Sequence, residues 1–233
     1  EDVDVPPAWQ LVLDVPTPSL GLVRIYGSLR WCDPGVGEAA CTGVAALGSD
    51  NTAAIALEAA SVVVFGELSI GGPSAPYRGQ ALIRLTGTPD GVYLELGEDA
   101  DGEYIDAGSR ALVVVGKAII KGLPRTAAWT RLGATASAGA EAVTLAEGVD
   151  WPAGARVVLA SSGHSQDEAE VAELLADAAG GAELSLTSPL THQHFGAKAA
   201  ELYGAQEVDV RAEVGLLSHN VVIEGAPAPA GAG

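Results

Sequence analysis

The chain has 233 residues, of which 48% are apolar, enough for one large or two modest buried cores and against a disordered chain. Thirty glycines and thirteen prolines, with little Lys or Glu at helical spacing, favour many short strands joined by tight turns over a helical bundle. A formal charge of −18 repels polyanions, which argues against nucleic acid and anionic membrane surfaces as partners and leaves cations as better candidates.

No stretch approaches the roughly 18 uninterrupted apolar residues of a membrane-spanning helix, and the N-terminus lacks the basic and apolar regions of a signal peptide. With no Met in the chain, the expectation is a processed product or a fragment of something longer, with any anchor or targeting segment outside it.

From the N-terminus, a phrase of alternating apolar residues, a glycine and more alternation recurs. It reads Leu22-Val23-Arg24-Ile25-Tyr26-Gly27-Ser28-Leu29-Arg30-Trp31, then Val62-Val63-Val64-Phe65-Gly66-Glu67-Leu68-Ser69-Ile70, then Leu112-Val113-Val114-Val115-Gly116-Lys117-Ala118-Ile119-Ile120. A weaker fourth copy runs from Leu216 to Gly225. Each phrase predicts two short strands bent at one residue, and copies laid side by side would give parallel sheets with a buried inner face. The predicted fold class is all-β: an irregular right-handed parallel β-helix, or solenoid, over residues 1–137, irregular because Gly27, Gly66 and Gly116 are unevenly spaced. A sandwich of short alternating strands is the alternative, although its phrases need not share a glycine bend.

Between the first two phrases lie the only cysteines, Cys32 and Cys41, around a segment containing Pro34, Gly35 and Gly37. A disulfide closing this short loop, in an oxidising compartment, is one reading; two separate buried thiols is the other. The loop Glu98-Asp99-Ala100-Asp101-Gly102-Glu103-Tyr104-Ile105-Asp106 gathers hard oxygen ligands around a glycine, so Asp99, Asp101 and Asp106 are candidate calcium ligands, without full EF-hand spacing. A solvated acidic loop is the plainer reading. No pattern requires a cofactor; calcium is the ion the sequence would accommodate.

Residues 138–190 read as an inserted small antiparallel β-barrel or meander. Ala142–Leu145, Ala155–Ala160, Ala169–Leu175 and Ala182–Leu186 predict short strands, with tight turns at Trp151–Gly154 and Ala179–Gly181. The acidic run from Glu168 to Glu173 leaves a helix there as an alternative. Residues 191–225 are expected to resume the β-helix, beginning with the alternation Val208–Val214, and residues 226–233, all Ala, Pro and Gly, form a linker or tail.

All four histidines, His164, His192, His194 and His219, lie in the last third. As an i, i+2 pair in a strand, His192 and His194 would share a face and could reach one metal, with His164 as a third ligand; hydrogen-bonded structural histidines are the plainer reading. Asp167, Glu168, Glu170 and Glu173 are the densest carboxylates, but glycoside hydrolysis needs a facing pair at a defined separation, which spacing alone does not identify. No nucleophile elbow, phosphate-binding glycine loop or dinucleotide fingerprint is present, so no catalytic residue is nominated.

The phrase Pro18–Leu29 resembles the start of the eight-glycine domain found in fibrocystin, fibrocystin-L and the cell-surface hyaluronidases related to the cell-migration-inducing protein. Gly66–Gly71, Ala81–Gly87, Gly122–Arg125, Trp129–Leu132 and Arg211–Leu217 resemble that family in its order. Gly163-His164-Ser165 and His192–Gly196 are similar to its fibrocystin-L-like branch, in the polycystic kidney and hepatic disease family. The resemblance implies an eight-glycine domain leading into parallel β-helix repeats of a large, commonly membrane-anchored extracellular glycoprotein, often ciliary. The Cys32–Cys41 loop and the acidic loop near Asp99 look like local elaborations and inherit no family role.

The expected function is therefore a non-catalytic structural or binding module with cell-surface or extracellular proteins or glycans as partners, with no nucleic acid and no membrane insertion in this segment. The alternative is a carbohydrate-active module of hyaluronan-depolymerising type. It would gain if Arg78, Arg84, Arg110, Arg125 and Arg131 lined one groove with paired carboxylates.

Overall fold

The computed structural model describes residues 1–33, 54–72, 75–88, 95–98, 104–196 and 209–227. Apart from a 3₁₀ turn at Gln166–Glu168, every regular element among them is a strand. Contacts divide the chain into two units: Glu1–Leu123 with Asn220–Gly233, and Pro124–His219.

The first unit contains β1 (Val3–Val5), β2 (Gln10–Leu13), β3 (Leu20–Ile25), β4 (Ser28–Trp31), β5 (Ile55–Val64), β6 (Glu67–Ile70), β7 (Ala81–Leu85), β8 (Glu95–Glu98), β9 (Tyr104–Asp106), β10 (Leu112–Val114) and β11 (Lys117–Ile120). It regains a last strand, here numbered β18 (Val221–Gly225), after the second unit. One parallel sheet runs β1-β3-β5-β7-β18, with β10 on the C-terminal half of β5; a second runs β2-β4-β6-β11. The three strong glycine phrases lie parallel and in register: Val23, Val62 and Leu112 are successive partners, as are Leu29, Leu68 and Ala118.

Alternation decides which side chains turn inward. Ile25, Leu57, Leu68, Ile70 and Ile83 are almost fully buried and pack in one cluster with Trp31, whose indole N–H donates to the Ile55 carbonyl at 3.0 Å. Each such aliphatic side chain contributes about 1.5–3 kcal/mol on leaving water. Outward positions carry charge, and register brings opposite signs together. Arg24 meets Asp4 at 3.0 Å, Lys117 meets Glu67 at 3.2 Å, and Arg84 sits between Glu58 at 3.2 Å and Glu224 at 2.8 Å.

Glycine is required at the bends because the layers touch through their backbones there. A Cβ on Gly66 would fall within the envelopes of the Tyr26 and Gly27 carbonyl oxygens, and one on Gly116 within those of Phe65 and Gly66. The residues just before the glycines follow the same register, so the Tyr26 and Phe65 rings stack with centroids 4.9 Å apart and planes 4° from parallel.

The weak fourth phrase does not form a bent pair of this kind, since Leu216 ends a strand of the second unit while Val221 begins β18. Between them, Asn220 is buried and fully used. Its amide nitrogen donates to the carbonyls of Tyr77 and Gly79, both at 2.8 Å, and its oxygen accepts from the Leu123 N–H at 2.9 Å. One side chain thus joins the residue at which the chain leaves the first unit to the residue at which it returns.

The second unit is antiparallel. It comprises β12 (Trp129–Arg131), β13 (Ala142–Thr144), β14 (Arg156–Leu159), β15 (Glu170–Glu173), β16 (Glu183–Ser185) and β17 (Glu213–Leu216). A four-stranded sheet β12-β17-β14-β15 and a ribbon β13-β16 are linked by single bridges at Leu132–Leu145 and Leu174–Leu186, and no closed barrel is formed among the described residues. Trp151, Leu132, Val157, Leu174 and Leu184 are among its buried core.

The strand at Glu170–Glu173 replaces the helical alternative, of which only the 3₁₀ turn remains. The turns predicted after Trp151 and Ala178 hold Gly154 and Gly180 at φ of 73° and 84°, where glycine is favoured. Residues 213–216 do not resume the parallel sheet: β17 pairs antiparallel with β12 and β14, and parallel pairing returns only at Val221. Alternation reports one buried face and not strand direction, so the sequence could not separate the two outcomes.

Candidate functional site

The segment Thr191–Gly196 lies across the ends of β14 and β15, whose register places Leu159 opposite Glu170. His194 is held there by paired backbone hydrogen bonds with Ala136, at 2.8 and 2.9 Å. Its ring is completely buried. Nδ1 lies 3.0 Å from the Ala160 carbonyl and Nε2 lies 2.8 Å from Glu170 Oε1. Each ring nitrogen therefore has an oxygen partner within the protein.

Glu170 also accepts from the backbone N–H groups of Thr191, at 2.8 Å, and His192, at 3.0 Å. Burial by itself would raise its carboxyl, but these two N–H groups and His194 favour the anion, and the net effect holds Glu170 below the usual glutamate range. A depressed carboxyl contributes stability above its unfolded value, about 4.3, and loses it as pH falls through the folded value. Urea midpoints should therefore fall more steeply on acidification below pH ~4.3 in the wild type than in Glu170→Gln, which should be the less stable at neutral pH by about 2 kcal/mol. Parallel pH profiles would remove Glu170 from this account.

Beside the pair opens a solvent-facing cleft of about 640 Å³, with Ser162, Glu168, His192, Gln193, Phe195 and Val210 on its walls. Ser162 Oγ accepts from the Phe195 N–H at 2.8 Å, which fixes one wall against the other. Gly163 leaves room for the Glu168 carboxylate, which lies where a Cβ would otherwise stand. The cleft thus offers a hydroxyl, a carboxylate, an imidazole, an amide and an aromatic ring, a set suited to hydrogen bonding and ring contact with a polar ligand.

The nominated metal residues are dispersed among different environments. His164 is exposed, His192 faces the cleft, and His194 has committed both nitrogens within the protein. The i, i+2 argument does not apply because these two histidines lie in an irregular segment with one bridge and not in a strand. Among the described residues, no group of three or more His, Cys, Asp or Glu side chains is arranged to hold a metal ion. Asp99 and Asp101 lie outside the described residues; Asp106 pairs through its backbone with Glu95 in the β8–β9 hairpin. Cys32 is buried at the end of the first unit's core, and Cys41 lies outside the described residues.

Of the four clustered carboxylates, Glu168 lines the cleft and Glu170 is committed to His194. The arginines are likewise engaged. Arg84 is held by Glu58 and Glu224, Arg110 by the carbonyls of Gly87 and Ala226, Arg125 by that of Asp150, and Arg131 by Asp209 and Glu213. Arg78 is exposed ahead of β7. Charge counting could not anticipate Glu170, since nothing in an acidic run distinguishes the one carboxylate that turns inward.

The G8 domain matches residues 1–133, more than half of the chain and the whole first stretch of the parallel-sheet unit. This chain belongs to the G8 domain family. The G8 chain is 35% identical over 220 residues to fibrocystin-L of Mus musculus and 33% identical over 220 residues to fibrocystin-L of Homo sapiens, covering 92% of this chain in both cases. It is 29% identical over 71% of its length to fibrocystin of Canis lupus familiaris. The G8 chain spans only about 4% of the length of these relatives. Coverage of 92% carries the likeness to fibrocystin-L beyond the G8 match and into the antiparallel unit.

Proposed function

We propose that this G8 chain is a non-catalytic module of a large extracellular or cell-surface glycoprotein, membrane-anchored elsewhere and ciliary in some settings. In this reading its parallel layers form an irregular right-handed β-solenoid that serves as a rigid segment, and its antiparallel unit offers surface to a protein or glycan partner. Cys32 is bridged to Cys41 in the oxidising compartment such a protein occupies.

The observation that carries the proposal is how the polar groups are spent. Buried His194 and partly buried Glu170, the natural acid–base pair, bind one segment to another, leaving Glu168 and His192 to face the cleft. Hydrolysis of a glycoside would need two carboxylates facing across such a cleft. The charge of −18 and the paired state of Arg84 and Arg131 also disfavour a polyanionic substrate.

The test is the size distribution of hyaluronan after incubation with the chain, with and without calcium. No change is the expected result in both arms. Shortened hyaluronan would overturn the module reading in favour of the depolymerase, and a calcium requirement would direct attention to Asp99, Asp101 and Asp106.

A further inference from the structure

A second recess, of about 320 Å³, lies on the edge strand of the antiparallel sheet. It is lined by the small side chains of Ala127, Ala128 and Ala146 and by Trp129, Arg131, Glu147 and Arg211. Trp129 is 57% exposed, although a large indole on an edge strand is a liability for a soluble protein unless it meets something.

The groups around it are fixed in place. The Arg131 guanidinium lies 5.6 Å from the Trp129 ring centroid and is held by Asp209 at 3.1 Å and Glu213 at 3.3 Å. Arg211 grips the same Asp209 through two nitrogens, at 2.8 and 2.7 Å. That pairing pulls the Asp209 carboxyl far below its ordinary range, with Arg131 adding to the effect. A recess whose polar groups are already ordered gives up little rotamer freedom on binding.

We infer that this recess is a binding site for a neutral pyranose saccharide. An exposed indole offers an apolar plate to the C–H face of a sugar ring, the small side chains of Ala127, Ala128 and Ala146 leave room for the ring to approach, and Glu147 with the remaining guanidinium N–H groups supplies an acceptor and donors for its hydroxyls. Local charge selects against acidic sugars, because two guanidiniums are outnumbered by the carboxylates of Asp209, Glu213 and Glu147, within a chain of net charge −18. The inference rests on the contact-module reading and narrows it to one class of partner.

The experiment titrates the whole chain with tetrasaccharides of glucose, mannose, galactose and N-acetylglucosamine, up to about 10 mM, and with a hyaluronan tetrasaccharide, following tryptophan fluorescence and saturation-transfer NMR. At least one neutral sugar should bind, with the uronate-containing one weaker. Trp129→Ala should weaken binding about tenfold or more while leaving the melting temperature unchanged, Glu147→Gln should weaken it severalfold, and Trp9→Ala, an equally exposed tryptophan in the other unit, should have no effect. Absence of binding by all four neutral sugars, preference for the uronate, or unaltered affinity in Trp129→Ala would overturn the assignment. Any of these with hyaluronan left uncut removes the sugar site alone, whereas cut hyaluronan removes the module reading itself.

Discussion

Gly66→Ala is expected to destabilise the first unit by about 3 kcal/mol or more, among the largest effects a single methyl group can have. The added Cβ would overlap two backbone carbonyl oxygens of the preceding layer, Tyr26 and Gly27, and backbone in the middle of a hydrogen-bonded stack has no rotamer by which to yield. The layers would have to part where Phe65 and Gly66 donate to the Ile25 carbonyl, both at 2.8 Å, and where Glu67 donates to the Gly27 carbonyl at 2.9 Å. Gly116→Ala meets the same kind of obstacle against Phe65 and Gly66, but β10 and β11 stand at the end of the stack among the described strands, so that layer can shift outward. Its cost should be roughly half as great. Chemical unfolding followed by the fluorescence of buried Trp31 separates the two, and equal, small losses would mean that the close approach does not set the layer spacing.

Asn220→Leu is expected to cost about 4 kcal/mol. The leucine removes three hydrogen bonds at once and leaves the carbonyls of Tyr77 and Gly79 and the N–H of Leu123 without the partner they have. Each orphaned buried group costs on the order of 1–3 kcal/mol. Asn220→Asp keeps the shape and the acceptor for Leu123 but directs an anion at two carbonyl oxygens. It should be nearly as damaging at neutral pH and should recover in part on acidification, when the carboxyl can donate once. The sign follows because carbonyl neighbours raise the folded-state value of an introduced acid, so stability is lost as pH rises through it. Urea titrations of the three proteins at pH ~4 and pH ~7 provide the check, and an Asn220→Leu midpoint within error of the wild type would remove Asn220 as the tie.

The parallel layers were legible because three independent signals coincided at each bend: alternation before the glycine, the glycine, and alternation after it. In the antiparallel unit, the strands at Ala142–Thr144, Arg156–Leu159 and Glu183–Ser185 and the glycine turns between them could be read from the same rules. What could not be read was partnership. Val214 and Leu216 alternate as a strand should, yet their direction against Thr130 and Val157 depends on residues distant in sequence. The candidate sites show the same division. His194 could be singled out as unusual, but only its placement beside Ala160 and Glu170 gives it two acceptors and a structural duty. Arg131 stood out only as one of five arginines considered for a shared groove, and Trp129, Asp209 and Arg211 only as members of longer phrases, because the distance from residue 131 to residue 209 along the chain conceals a contact of 3.1 Å.

The contact between successive bends has a bearing on how such a chain can change over time. Gly27, Gly66 and Gly116 lie at unequal intervals in sequence and still meet, so the length of the excursions between them does not govern how the layers seat. New segments, as long as the whole Pro124–His219 unit, can be accepted between layers without rewriting the layers themselves. Variation is thereby channelled into the excursions, where ligand specificity can diversify, while the bends are held to a single permitted residue.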